Sequence, residues 1–398
     1  MAPRDRDTHP DWPLLSDFAE EEGKAGVSES TSPDLPPGIL GMIGAQRFDL
    51  AEAELACLLP EVSDASSRLG MLLLAAHVRL SAGKREAGLE DLRRALAFGR
   101  ETAQFDGVLS RAPDILASLC AQALEADIEP CYARCLIDRA NLAPPSVDAL
   151  HWPYPVRIYT LGQAAVLVRG KPLRFSGKAQ RRPLLLLHSL LARGGRAVPV
   201  TLLRKAMGED EAYGDSHYTR GAFDMALSRL RRLLPVPELL LLGDGLLSLN
   251  EDLCWVDAWS CERLLNRVDR QADPAGGLVL LERALRLYEG DFLAGEESAW
   301  AVLARERIRS RLTRVARRLG EAMERQGKWA EAGQLYERLR ELFPLDEELC
   351  LHLIRSHIKR EQFAQASGIY ARCRDLLARV LGVLPDPALK ALLRPTHA

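Results

Sequence analysis

No stretch of this 398-residue chain is apolar for long enough to cross a bilayer. The longest candidates, near Leu184–Leu191 and Leu239–Leu242, stop far short of the roughly 20 residues a spanning helix needs. No basic segment followed by an apolar run opens the sequence, so no signal peptide is read and the expected location is cytoplasmic. None of the eight cysteines stands in a CxxC pair. Cys131 and Cys135 are one helical turn apart, but no second pair at zinc-finger spacing accompanies them, so no metal is expected. Cys57, Cys120, Cys254, Cys261, Cys350 and Cys373 fall mostly among apolar neighbours and read as small core residues. Every Gly-Lys dipeptide lacks the Ser or Thr of a phosphate-cradling loop, and no GxSxG occurs. His352 and His357 are five apart and share no helical face well, so each reads as a structural histidine. An enzyme is not expected, and no cofactor is.

Net charge is also nearly absent, at −2, but its distribution is uneven. Residues 151–240 hold 15 Lys and Arg against 6 Asp and Glu, so this region is at +9 and the rest of the chain at −11. A basic module inside an acidic chain is the footprint of a polyanion-binding unit. With 47% hydrophobic and 27% charged residues the composition is that of a globular protein, and the length predicts two to four domains.

Residues 1–38 are rich in Pro, Ser, Asp and Glu without periodicity and read as a disordered tail. Residues 39–150 carry helical patterns broken by glycine or polar residues, as in stacked helical hairpins. Pro144, Pro145, Pro153 and Pro155 around Trp152 mark a boundary. Over 151–256 the character changes. VRIYTLG, AAVLV and LRF are β-prone, and Arg169-Gly170-Lys171 supplies a turn. A helix spans the Leu184–Leu191 run, a second covers about Pro199–Met207, and a third covers about 217–234. LLLLGDGLLSLN then reads as a hairpin turning at Gly243-Asp244-Gly245. Strands, three helices and a terminal hairpin are the order of a winged helix-turn-helix. Over 257–398 the pattern is helical. Trp329 and Phe363, Ala332 and Ala366, and Tyr336 and Tyr370 repeat 34 residues apart, which is the tetratricopeptide period. The expected fold is mainly α, with a winged helix-turn-helix (α+β) flanked by tetratricopeptide-like repeats.

The third helix carries the most information. In GAFDMALSRLRRLL (221–234), Phe223, Leu227, Leu230 and Leu234 form one apolar stripe. Arg229, Arg231 and Arg232 lie off it, and the opposite face holds Arg220, Asp224 and Ser228. Such a helix sits on a small core and leaves a slim basic surface for a DNA groove. Thr219, Arg220, Asp224, Met225, Ser228 and Arg229 are placed to approach base edges. Arginine pairs bidentately with guanine, aspartate accepts from cytosine, and methionine touches a thymine methyl. Arg231 and Arg232 are placed for phosphates. Asp215 or Ser216 is a candidate helix cap. Lys171, Arg174, Lys178, Arg181 and Arg182 form a second basic cluster, read as a solvated face with phosphate contact as its alternative. The hairpin 239–250 has no Lys or Arg, unlike a wing that enters the minor groove.

These residues resemble a known family arrangement. VRIYTLG, AFDMALSRLRRLL and LLLLGDGLLSLNEDLCWVDAWSCERLL (within 156–268) resemble the OmpR-type winged helix of SARP-type transcriptional activators. LYEGDFLAGEESAWAVLARERIRSRL and the FPLDEELC…ALKALL stretch resemble the bacterial transcriptional activation domain that follows it. RAPDILASLCAQALEADIEPCYARCLIDRANLAPP, within 39–150, is similar to the last helical repeats of MalT-like ATP-binding regulators, but no nucleotide-binding module is read here. The resemblance implies a sequence-specific transcriptional regulator that binds double-stranded DNA, as a homodimer on direct repeats, and contacts RNA polymerase. Carried over by position, Asp224, Met225 and Arg229 fall at base contacts and Arg231 at the DNA backbone. The sequence departs from the family at Ala206-Met207-Gly208, where Leu-Trp-Pro is common, and at Pro199, where a capping Ser is usual. The competing reading is a helical-repeat adaptor whose winged helix docks protein instead of DNA.

Overall fold

The computed structural model describes residues 37–146, 149–173, 181–208, 217–271 and 273–393, without the side chains of 37 and 217–220. Most of the segment read as a tail therefore lies outside the described residues, and a helix already begins at Pro37. The chain divides into two units. One runs to Pro155 and takes in Glu251–Leu253; the other holds Val156–Asn250 and everything from Cys254 onward.

The first unit is all helical: α1 (Pro37–Gly44), α2 (Phe48–Leu58), α3 (Ala65–Ser81), α4 (Arg85–Glu101), α5 (Pro113–Glu125) and α6 (Pro130–Arg139). The Asp64 carboxylate caps α3 by accepting from Ser67 N at 2.8 Å. Leu69, Leu73 and Leu74 of α3 are buried, as are Leu92, Ala95 and Leu96 of α4, so these two helices form the centre of the unit. Gly99 is required where α4 meets α6. A methyl there would lie 2.3 Å from the Tyr132 hydroxyl, which donates to the Gln104 carbonyl. Cys57 corrects the sequence reading, because it is exposed. The buried stripe of α2 is Ala51 and Leu55, and Cys57 falls off it.

The second unit begins with β1 (Val156–Tyr159), β2 (Ala165–Val168) and β3 (Lys171–Pro172). Then come α7 (Arg181–Ala192), β4 (Val198–Pro199), α8 (Val200–Ala206), α9 (His217–Leu233), β5 (Leu240–Gly243), β6 (Leu246–Leu249) and β7 (Cys254–Val256). One sheet has the order β3-β2-β1-β7, with β1 and β7 parallel; the other is β4-β6-β5. Asp244 and Gly245 both have positive φ (50° and 72°), giving the two-residue turn that matches the twist of a hairpin. Helices α8 and α9 both pack on α7, and the β5–β6 hairpin follows as the wing. Pro199 ends β4 and precedes α8 as its N-cap residue, with no side-chain hydrogen bond.

Helices α10 (Asp257–Arg270), α11 (Pro274–Leu287), α12 (Ala299–Arg325), α13 (Trp329–Leu342), α14 (Glu347–Lys359), α15 (Phe363–Val380) and α16 (Pro387–Leu392) complete the chain. The tetratricopeptide-like stacking rests on small residues. A methyl on Gly320 would lie 2.4 Å from the Tyr336 hydroxyl, which passes α12 to donate to Glu324 at 2.9 Å. The repeat is imperfect at its last member. Ala332 and Ala366 are both buried and Tyr336 is too, but Tyr370 is only half-buried and Phe363 is 61% exposed. His352 stacks on Tyr336 and meets Glu324 through Nδ1 at 3.0 Å, while His357 Nδ1 meets Gln362 at 2.9 Å. Among the described residues no helix is long and apolar enough to cross a membrane.

Two buried contacts stand out where the winged helix meets the helices after it. Asp257, 2% exposed, accepts from Thr160 N, Thr160 Oγ1, Leu161 N and Ala258 N at 2.7–2.9 Å. Burial pushes its carboxyl above the usual range, and these donors offset that only in part. The Trp259 indole lies on Gly195 (φ +71°), where a Cβ would be 2.0 Å from Cζ2. Asp257→Ala strands at least three buried N–H groups and is expected to cost about 3 kcal/mol or more in urea unfolding. Gly195→Ala is expected to cost clearly more than Gly194→Ala in the same measurement. Both positions have positive φ, but a methyl on Gly194 meets nothing within 4 Å.

Candidate nucleic-acid interface

Helix α9 has two chemically distinct sides. Ala222, Phe223, Ala226, Leu227 and Leu230 are at most 6% exposed, and Leu234 just beyond the helix is 2% exposed. Phe223 is also covered by Arg204 of α8, whose guanidinium lies 5.5 Å from the ring centroid. The stripe read from the sequence is thus the seat of the helix. Asp224, Met225, Ser228, Arg229, Arg231 and Arg232 are all exposed. At 3.6 residues per turn they follow one another around the free side in the order Arg231, Asp224, Ser228, Arg232, Met225, Arg229. That arc holds three guanidinium groups against one carboxylate. Thr219 and Arg220 lie on the first turn, where side chains are outside the described residues, as are Asp215 and Ser216.

The arginines are not equivalent. Arg231 donates from a terminal guanidinium nitrogen to the Leu240 carbonyl of β5 at 3.2 Å. Arg229 and Arg232 make no ion pair or hydrogen bond among the described residues, and neither does Asp224. Of the second basic cluster, Lys171, Arg181 and Arg182 are exposed, and Arg174 and Lys178 lie outside the described residues. Lys205, exposed in the last turn of α8, was not singled out from the sequence. A basic last turn on the helix before α9 was the available signal.

The wing presents a different surface. Leu241 and Leu242 are 46% and 45% exposed, and Asp244 at the tip is its one charged residue. Its backbone is tied to the preceding turn and to α8. Leu249 N donates to Gly195 O at 2.8 Å, Ala197 N to Ser248 Oγ at 2.8 Å, and Val200 N to Gly245 O at 2.9 Å.

Residues 256–395 match the bacterial transcriptional activator domain family. That match begins at the end of β7 and takes in Asp257 and Trp259, the residues that meet the winged helix. The chain is 31% identical over 242 residues to the regulatory protein AfsR of Streptomyces coelicolor, covering 60% of this chain and 24% of that protein. It is 29% identical over 260 residues to the regulatory protein AfsR of Streptomyces griseus, covering 64% and 25%. The chain thus spans about a quarter of the length of these curated relatives. The structure of Mycobacterium tuberculosis EmbR in complex with a low-affinity phosphopeptide is 22% identical and superposes with a TM-score of 0.45, over 60% of this chain and 64% of that one.

The split between seat and free face sets opposite expectations for substitutions on α9. Leu230→Ala should lower stability by about 2–5 kcal/mol. Ser228→Ala, on the exposed side of the helix, should stay within about 0.5 kcal/mol of the parent. Urea unfolding of both variants measures the difference.

Proposed function

We propose that this protein is a sequence-specific DNA-binding transcriptional regulator of the SARP type, acting in the cytoplasm as an activator. In this reading residues 39–150 are a helical repeat segment, similar to the end of MalT-like regulators. Residues 151–256 are an OmpR-type winged helix, and 257–398 are the activation domain, which contacts RNA polymerase. Two copies lie head to tail on direct repeats. The observation that carries the reading is the free basic arc of α9, held on a fully buried stripe and followed directly by the matched activator domain. Arg229 is assigned to a guanine edge and Met225 to a thymine methyl, with Asp224, Ser228, Thr219 and Arg220 at or beside the base edges. Arg232 is assigned to a phosphate.

The wing, which has no Lys or Arg, favours a second reading, a helical-repeat adaptor that docks protein through its winged helix. Binding to the DNA upstream of the protein's own gene, measured across a salt series, separates the two. A regulator loses affinity steeply with salt, since each phosphate neutralised releases counterions. The folded double variant Arg229→Ala/Arg232→Ala should lose about 1–3 kcal/mol for the base contact, and somewhat more with the phosphate contact. Unchanged affinity in that variant would reject the site assignment. Absence of salt-sensitive DNA binding by the parent, with protein partners retained after nuclease treatment, would establish the adaptor instead.

A further inference from the structure

The hydrogen bond from Arg231 to the wing assigns that arginine a role its position on α9 does not suggest. In the β5–β6 hairpin, Gly243 faces Leu246 across a two-residue turn. Hydrogen-bonded and non-bonded pairs alternate from there, so Leu241 is bonded to β6 and Leu240 and Leu242 point their backbone groups away from it. Strand β5 is the edge of its sheet. The Leu240 carbonyl is therefore an outward-facing edge acceptor, and Arg231 is the group that meets it, at 3.2 Å. On the other strand the non-bonded Leu249 finds Gly195 O, and Leu247 faces Val198 of β4. The β6 side of the wing is thus fastened by backbone bonds. The β5 side, with its exposed Leu241 and Leu242, is fastened to α9 by Arg231.

We propose that Arg231 is a positioning residue that braces the wing against the DNA-contacting helix, while Arg229 and Arg232 are the arginines presented to DNA. This rests on the regulator reading above. With one terminal nitrogen committed to a backbone carbonyl, the guanidinium has fewer donors to offer a phosphate than those of Arg229 and Arg232. The same bond holds the wing, which has no Lys or Arg and exposes Leu241 and Leu242, beside the helix. The basic surface is then narrower than the sequence indicates, and Arg231 acts through wing geometry instead of through charge.

Two readouts on the full chain test this. Arg231→Met keeps the apolar stem and removes the donor; Arg231→Leu serves if the first variant does not fold, as judged by thermal unfolding. Hydrogen exchange of the wing amides between Leu240 and Leu249, without DNA, should quicken about tenfold, the scale of one lost charge-assisted bond. In a salt series with upstream DNA the variant should bind more weakly at every salt concentration, with the slope of log K against log salt unchanged. Arg232→Met should show the reverse, a slope smaller by about 0.9 and unaltered wing exchange. A slope reduced by about 0.9 in the Arg231 variant, or wing exchange equal to the parent, overturns the proposal. If the parent itself binds no DNA, the regulator reading fails, and the exchange measurement alone decides whether the brace exists.

Discussion

The second unit depends on one buried carboxylate. At the end of β1 the amides of Thr160 and Leu161 have left the sheet ladder and lie where water does not reach. Each would cost about 1–3 kcal/mol if left without a partner. Asp257, the first residue of α10, meets both and the Thr160 hydroxyl, while it also accepts from Ala258 N of its own helix. One side chain thus ends a strand and starts a helix. The neighbouring loop continues the joint. Leu293 N donates to Thr160 O, Gly162 N donates to Asp291 O, and Arg305 of α12 donates to the carbonyls of Phe292, Leu293 and Glu296. The first sheet and the activator-type helices are therefore fastened by polar bonds to the loop backbone, whose geometry does not depend on how the surface is charged.

From this joint the structure runs without a break to the proposed DNA-contacting face. Trp259, two residues after Asp257, covers Gly195 in the turn after α7. Gly195 O receives Leu249 N of the wing, and the wing reaches α9 through Leu240 and Arg231. Helix α7 carries the same coupling through its packing, since both α9 and α12 rest on it. In the proposed activator reading, this arrangement would set where the helical domain stands relative to the DNA.

The face of α9 was legible in the sequence because a helix repeats every 3.6 residues, so the stripe Phe223, Leu227, Leu230, Leu234 needs only local information. The 34-residue repeat was legible for the same reason, as was the hairpin at Asp244-Gly245, where two positive φ values favour such a pair. The roles of Asp257, Gly195 and Trp259 were not legible. Asp257 and Thr160 are 97 residues apart in sequence, and no period links them. Tyr370 resembles Tyr336 in the repeat, yet only Tyr336 has the gap at Gly320 and an acceptor in Glu324. Arg231 reads as a solvent-facing arginine like Arg232, because the carbonyl it meets is a property of the sheet edge and not of the helix.

Magnitudes rank the contacts across the junction. Arg307 donates to Ala192 O at a long 3.5 Å, and its ion pair with Glu262 is exposed; such pairs contribute about 0–1 kcal/mol. Arg193 over Trp300, at 5.9 Å from the ring, is worth about 0.5–1 kcal/mol at a partly exposed site. A buried indole removes about 150–250 Å² from water, which at about 25 cal/mol per Å² is roughly 4–6 kcal/mol. Burial of Trp259, to which Gly195 supplies one wall, therefore outweighs the ionic contacts even after the cost of its unpaired indole N–H, and salt should loosen this junction little. Salt and the proposed DNA contacts then act on different parts of the molecule. In the proposed reading, ionic strength would weaken the hold of Arg229 and Arg232 on DNA and leave the buried Trp259 contact in place.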